Sequence, residues 1–132
     1  MTTTFLFSNN LQSTLAFPVL ITDTTITVAS GTGSYFPNPI SGQTLPITLV
    51  SALNPMVKEI VYCISITGDI FTVTRAQEGT IALDWNKGDF VANLFTAGCA
   101  RNFVQIPQLG VTGTANNTNT LTIVNGLITN IV

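Results

Sequence analysis

The chain has 132 residues, of which only 8% are charged, against roughly 25% in an average soluble domain, and its net charge is -2. The four basic residues, Lys58, Arg75, Lys87 and Arg101, form no stripe to neutralise phosphates, and no run reaches the roughly 18 apolar residues of a membrane-spanning helix, so nucleic acid and membrane are not expected partners. The absence of histidine excludes a Ser/His or Cys/His nucleophile pair and argues against zinc.

That length suits one domain with a single core, plus a short extension. Thr, Asn and Ser stand where charge is missing, so copies repel one another weakly and close packing of many copies costs little. Helical periodicity is scarcely visible. Short runs rich in Thr, Val and Ile recur between Gly, Pro and Asn, which is an all-β pattern. The expected architecture is a compact antiparallel β-sandwich or small barrel with a C-terminal β-hairpin extension.

Residues 1–22 read as an N-terminal arm or first strand. They have no basic start and are interrupted by Asn9, Asn10, Gln12 and Ser13, so no signal peptide is expected. The core domain is expected over 23–100, opening with a strand at Thr24 to Ala29. A loop or irregular edge follows around Pro37 and Pro39, because proline cannot donate to a central ladder.

The next strands are Thr44 to Val50 and Val57 to Ile66. Gly68-Asp69 then suits a tight two-residue turn, since Gly tolerates positive φ and Asp does so at modest cost. Ile70 to Thr74 forms the second arm. Strict alternation puts Ile60, Tyr62, Ile64 and Ile66 on the core face with Phe71 and Val73 across from them, and Glu59, Val61, Cys63 and Ser65 on the reverse.

The stretch from Gly68 to Phe90 holds six of the ten charged residues: Asp69, Arg75, Glu78, Asp84, Lys87 and Asp89. A charge-assisted hydrogen bond between Arg75 and Glu78, or from either to loop backbone, would pin the strand exit near Thr74. Gly79 supplies a backbone angle that a Cβ would resist. Trp85 reads as a core plug or lid, and Asn86-Lys87-Gly88-Asp89 as a turn leading into a strand at Phe90 to Leu94. Cys63 and Cys99 read as two buried thiols, with a disulfide as the alternative.

The extension, residues 101–132, contains a Thr/Asn/Gly-rich connection from Val111 to Thr120. A hairpin over Leu121 to Ile131 follows, turning at Asn125-Gly126. Asn116-Asn117-Thr118 matches a glycosylation acceptor, which without a secretory signal reads as accidental.

No catalytic residue, cofactor or metal ligand is assigned. A carboxylate pair drawn from Glu78, Asp84 and Asp89 could in principle cleave glycosides, but ordinary turns use Asp for local hydrogen bonds, and the chain does not read as an enzyme. Exposed aromatics, Tyr35, Phe36 or Trp85, are candidate glycan contacts.

The run from Gly31 to Gly98, about half the chain, resembles a small β-domain of tailed-bacteriophage virion proteins, often found at the N-terminal end of tail fibres. The matching residues include Gly33-Ser34-Tyr35-Phe36-Pro37, Lys58 to Tyr62, Gly68-Asp69, Thr72 to Thr80, Ala82, Trp85, Gly88-Asp89 and Ala92-Asn93-Leu94. Arg75, Glu78, Gly79, Trp85, Gly88 and Asp89 form the most specific part of this signature. The resemblance implies a structural role on the phage particle, after synthesis in the bacterial cytoplasm. Members are commonly symmetric multimers, and a homotrimer touching capsid, neck or tail proteins is the expected form. A short β segment rather than a long shaft follows Gly98, which implies a short fibre, a fibre-anchoring adaptor or a capsid decoration protein. A carbohydrate-binding host-attachment module is the further alternative.

Overall fold

The computed structural model describes residues 3–9, 11–104, 123–124 and 128–129. The chain is all-β: a curled antiparallel sheet forms a half-barrel. Its strands are β1 (Thr4–Phe5), β2 (Gln12–Thr14), β3 (Thr25–Thr27), β4 (Gln43–Val50), β5 (Lys58–Thr67), β6 (Ile70–Gln77) and β7 (Phe90–Ala92). They follow the order β2-β7-β4-β5-β6-β3, with β1 added in parallel to the start of β4.

The two end strands of that order also meet. Leu15 and Val28 form an antiparallel bridge, flanked by hydrogen bonds from Ala16 N to Thr27 O and from Ala29 N to Thr14 O. This contact covers part of two edges that would otherwise present unpaired backbone groups to water.

β4 is the central strand. Leu45, Ile47 and Leu49 lie in the core, and Thr44, Pro46 and Thr48 are buried too. Pro46 sits between the part of β4 paired with β1 and the part paired with β7, where a missing N–H costs least. Its carbonyl accepts from the Asn93 side-chain amide at 2.7 Å. That amide oxygen accepts from Ser8 N at 2.8 Å, and Asn93 N donates to Leu11 O. One buried Asn thus fastens β4 and the end of β7 to the segment between β1 and β2.

The β5–β6 hairpin turns at Gly68-Asp69 as expected, with Thr67 opposite Ile70 and Gly68 at φ +61°. The face assignment of β5 is corrected. Glu59, Val61 and Cys63 are fully buried, whereas Ile64 is 50% exposed and Ile60 and Tyr62 are half-buried. Alternation holds from Glu59 to Cys63 with the opposite phase, and the register shift at Cys63/Ser65 then reverses it toward the hairpin tip. A bulge adds one residue to one strand and breaks simple alternation, so Ile66 returns to pack against the core while Ser65 is exposed. Phe71 and Val73 are core residues, as read from the sequence.

The core also contains Leu15 and Val19, so residues 12–19 supply a strand and two core side chains. Phe36 packs edge-on to Phe71 at 5.0 Å between ring centroids, which carries the proline-bearing loop onto the core. Residues 1–96 form one compact unit and 97–132 a second.

The second unit contains a helix, α1 (Ala97–Val104), that the sequence reading does not anticipate. It also holds β8 (Ile123–Val124) and β9 (Ile128–Thr129), which pair antiparallel. The expected Asn125-Gly126 turn and the connection from Val111 to Thr120 lie outside the described residues. Among the described residues, no helix is long and apolar enough to cross a membrane.

Candidate functional site

The charged stretch folds into a buried corner centred on Glu59, a residue outside that stretch and assigned by sequence to the reverse face. Arg75, near the end of β6, meets Glu59 side by side: Nε donates to Oε2 and Nη2 to Oε1, each at 2.8 Å. Planar guanidinium and carboxylate groups match in this way, which makes such pairs strong and directional.

The remaining Arg75 donors go to backbone. Nη1 donates to Leu20 O and Asp23 O at 2.8 and 2.9 Å, and Nη2 to Leu83 O at 2.6 Å. All the guanidinium N–H groups are therefore used. Glu59 accepts three further bonds, from Ala76 N at 3.0 Å, Leu83 N at 3.1 Å and Trp85 Nε1 at 2.9 Å.

Burial pushes the Glu59 carboxyl up, but the bonds from Arg75, Trp85, Ala76 and Leu83 outweigh it and hold the group below its ordinary value. A buried charge is tolerable only when paired and fully hydrogen-bonded, and Glu59 meets both conditions.

Arg75 therefore pairs with Glu59, not Glu78, which corrects the first of the two arrangements anticipated for it. Glu78 accepts from the Tyr62 hydroxyl at 2.7 Å and the Thr96 hydroxyl at 2.6 Å. The turn that separates the two partners is strained: Ala76 and Glu78 have φ of +55° and +56°, followed by Gly79 at +83°. Left-handed backbone at non-glycine residues persists only where surroundings over-determine it. The Ala76 N–H bond to Glu59 and the Glu78 bonds to Tyr62 and Thr96 supply that constraint.

Trp85 is 2% exposed and bridges Val19 through paired backbone hydrogen bonds. It is a core plug, so its ring has no open face for a sugar. Phe36, at 4% exposure, is likewise withdrawn as a glycan contact, while Tyr35 is 68% exposed. The structure thus separates the three candidate aromatics.

The other carboxylates hold loops. Asp89 accepts from Ala52 N and Asn86 N at 2.9 and 2.8 Å, with Gly88 beside it at φ +92°. Asp69 accepts from Gly31 N and Gly33 N at 3.0 and 2.9 Å, and those bonds lower its pKa. Asp84 accepts from Ile21 N at 2.6 Å and Asp23 from Leu20 N at 2.8 Å. Every one of the six carboxylates accepts an internal hydrogen bond. Asp23, Asp69, Asp84 and Asp89 position backbone, while Glu59 and Glu78 also hold side chains. Glu78, Asp84 and Asp89 serve separate loops.

Cys63 and Cys99 are buried thiols. Burial pushes the Cys63 thiol up to about 12, which keeps it protonated and unreactive. Among the described residues, no group of three or more Cys, Asp or Glu side chains is arranged to hold a metal ion.

Sequence reasoning missed Glu59 and Asn93 as organising residues. For Glu59 a signal existed: it alternates with Val61 and Cys63, an apolar face on which a lone carboxylate needs a partner. For Asn93 there was none, because its partners lie 47 and 85 residues away. No protein-family model matches the chain, and no curated protein matches it.

Proposed function

We propose that the chain is a structural protein of a tailed-bacteriophage particle, a short fibre or fibre-anchoring component that assembles as a symmetric multimer, with a homotrimer as the working stoichiometry. The supporting observation is how the charges are used. All six carboxylates and Arg75 serve the interior or the loops, while the surface carries large apolar side chains. Phe17, Leu20 and Ile21 project from one loop, Leu53 and Met56 from another, and Phe95 from the end of the first unit; Leu53 is 90% exposed. Exposed apolar side chains on a surface of low charge are what an interface with protein would cover, and burying them between chains is worth about 25 cal/mol per Å² before association costs.

On this reading the chain is not an enzyme and needs no cofactor. Its partners are copies of itself and other proteins of the particle, and it is made in the bacterial cytoplasm before joining the virion. A capsid decoration protein is the nearest alternative, built on the same surfaces. A host-glycan attachment module is the further alternative; of its three candidate aromatics it rests on Tyr35, which is 68% exposed, since Trp85 and Phe36 are buried.

Mass measurement of the purified protein tests the assembly, with a multimer expected at micromolar concentration. Imaging of labelled protein in intact particles tests location, and separates fibre from decoration. A monodisperse monomer with no affinity for particle components would overturn the proposal.

A further inference from the structure

We propose that residues 3–9 form an exchangeable strap: in the multimer each copy lays this segment, with β1 in it, along β4 of a neighbouring copy instead of its own. This rests on the multimeric reading above and names its seam. Three observations carry it.

First, the contacts that hold the strap come from distant parts of the chain. Thr4 N donates to Gly42 O at 3.0 Å and Leu6 N to Thr44 O at 2.9 Å, while Leu6 O and Ser8 N both meet the Asn93 side-chain amide. Phe5 lies edge-on to Tyr62 and Phe7 meets Phe95, each at 5.4 Å between ring centroids. A second copy presents the same partners in the same positions, so exchange keeps every one of these contacts. Exchange of an identical element is for that reason a low-cost route to assembly.

Second, the strap is lightly anchored but its groove needs filling. β1 is two residues long, and Leu6 packs against the core only partly buried, whereas the buried core cluster among the described residues runs from Leu15 to Val91. Lifting the strap leaves that cluster whole. It also strips partners from the β4 edge at Gln43 and Thr44 and from Asn93, which is 4% exposed. A bared edge templates another strand, and a buried amide is costly to leave unsatisfied. The same segment of another copy supplies both.

Third, the strap suits a seam between like chains. Residues 1–22 carry no charged side chain, so straps crossing between copies do not repel one another. Beside the strap, Phe7, Leu94 and Phe95 are 41, 43 and 64% exposed. The body of the neighbouring copy covers these side chains, and their burial offsets the cost of association.

The experiment uses the full chain as Thr4→Cys, as Gln43→Cys and as the double variant, with light scattering of the unaltered chain. Thr4 and Gln43 are opposed in the β1–β4 pair, which puts them within reach of a disulfide, while Cys63 and Cys99 are buried. Thr4→Cys and Gln43→Cys chains produced together and oxidised are expected to give a reducible band at double the chain mass, with the linked peptides joining positions 4 and 43. The double variant is expected to link copies to one another in the same way. A multimer in which the double variant closes its bond only within one chain overturns the exchange and leaves the multimeric reading intact. Failure of the bond to form in any combination overturns the β1–β4 register on which the exchange depends. A monomeric unaltered chain overturns both readings.

Discussion

Two carboxylates hold loops in this protein in opposite surroundings. Glu59 lies with no exposed surface in the corner where the segments around Leu20, Arg75 and Leu83 meet. Asp69, at the tip of the β5–β6 hairpin, binds two neighbouring N–H groups from the 31–33 turn in water. The motif is alike, a carboxylate accepting backbone N–H groups, but the consequence of removal differs. At the tip, water replaces what is lost. In the corner nothing can, so each broken bond leaves a buried donor or acceptor unsatisfied.

The largest expected effect breaks the corner outright. Glu59→Ala or Arg75→Ala leaves an unpaired buried charge and is expected to cost about 3–5 kcal/mol, read as a fall in the denaturation midpoint; a cost within 1 kcal/mol would show that water enters the corner. Acid sharpens the same point. The folded Glu59 pKa lies below its ordinary value of 4.5, so its stabilisation is complete above the unfolded value and is lost as pH falls through the folded one. Glu59→Gln is expected to remove much of the acid-side slope of stability against pH.

Trp85→Phe trims the corner more gently. It deletes one hydrogen bond to a charged acceptor, at about 1.5–3 kcal/mol, and leaves the Arg75 pair in place.

At the tip, sterics outweigh charge. A Cβ on Gly33 would lie 2.1 Å from Gly68 O and 2.8 Å from Asp69 Cα, both backbone atoms that cannot step aside. Gly33→Ala is expected to cost about 1–3 kcal/mol, the range for overpacking, and to shift the backbone amide resonances of Gly68 and Asp69. Asp69→Asn should have the smallest effect, a slight lowering of the thermal midpoint, because an amide oxygen still accepts from one N–H and water serves the other. A Gly33 variant milder than Asp69→Asn would reverse the ranking within the tip.

The legible parts of this fold are the local ones. Gly68-Asp69 demanded a turn, the β-branched runs around it demanded strands, and Gly79 demanded a left-handed backbone, because each is a property of a few adjacent residues. β5 was misread because the phase was taken from Ile66, which does pack on the core: strict alternation cannot register the bulge between Cys63 and Ser65, since the extra residue is defined only against the partner strand. Asn93 and the helix Ala97–Val104 gave no readable signal, the first because its partners are remote, the second because eight residues show too little periodicity.

The sequence by itself thus determined the all-β class, the hairpin at Gly68-Asp69 and the left-handed backbone at Gly79. Only the tertiary structure decided that Arg75 belongs to Glu59, that Trp85 and Phe36 are withdrawn from the surface, and which face of β5 is buried. The physical reason is desolvation. A charge can stay in the interior only where several distant chain segments deliver its hydrogen-bond partners together, and that meeting is made by the folded chain as a whole.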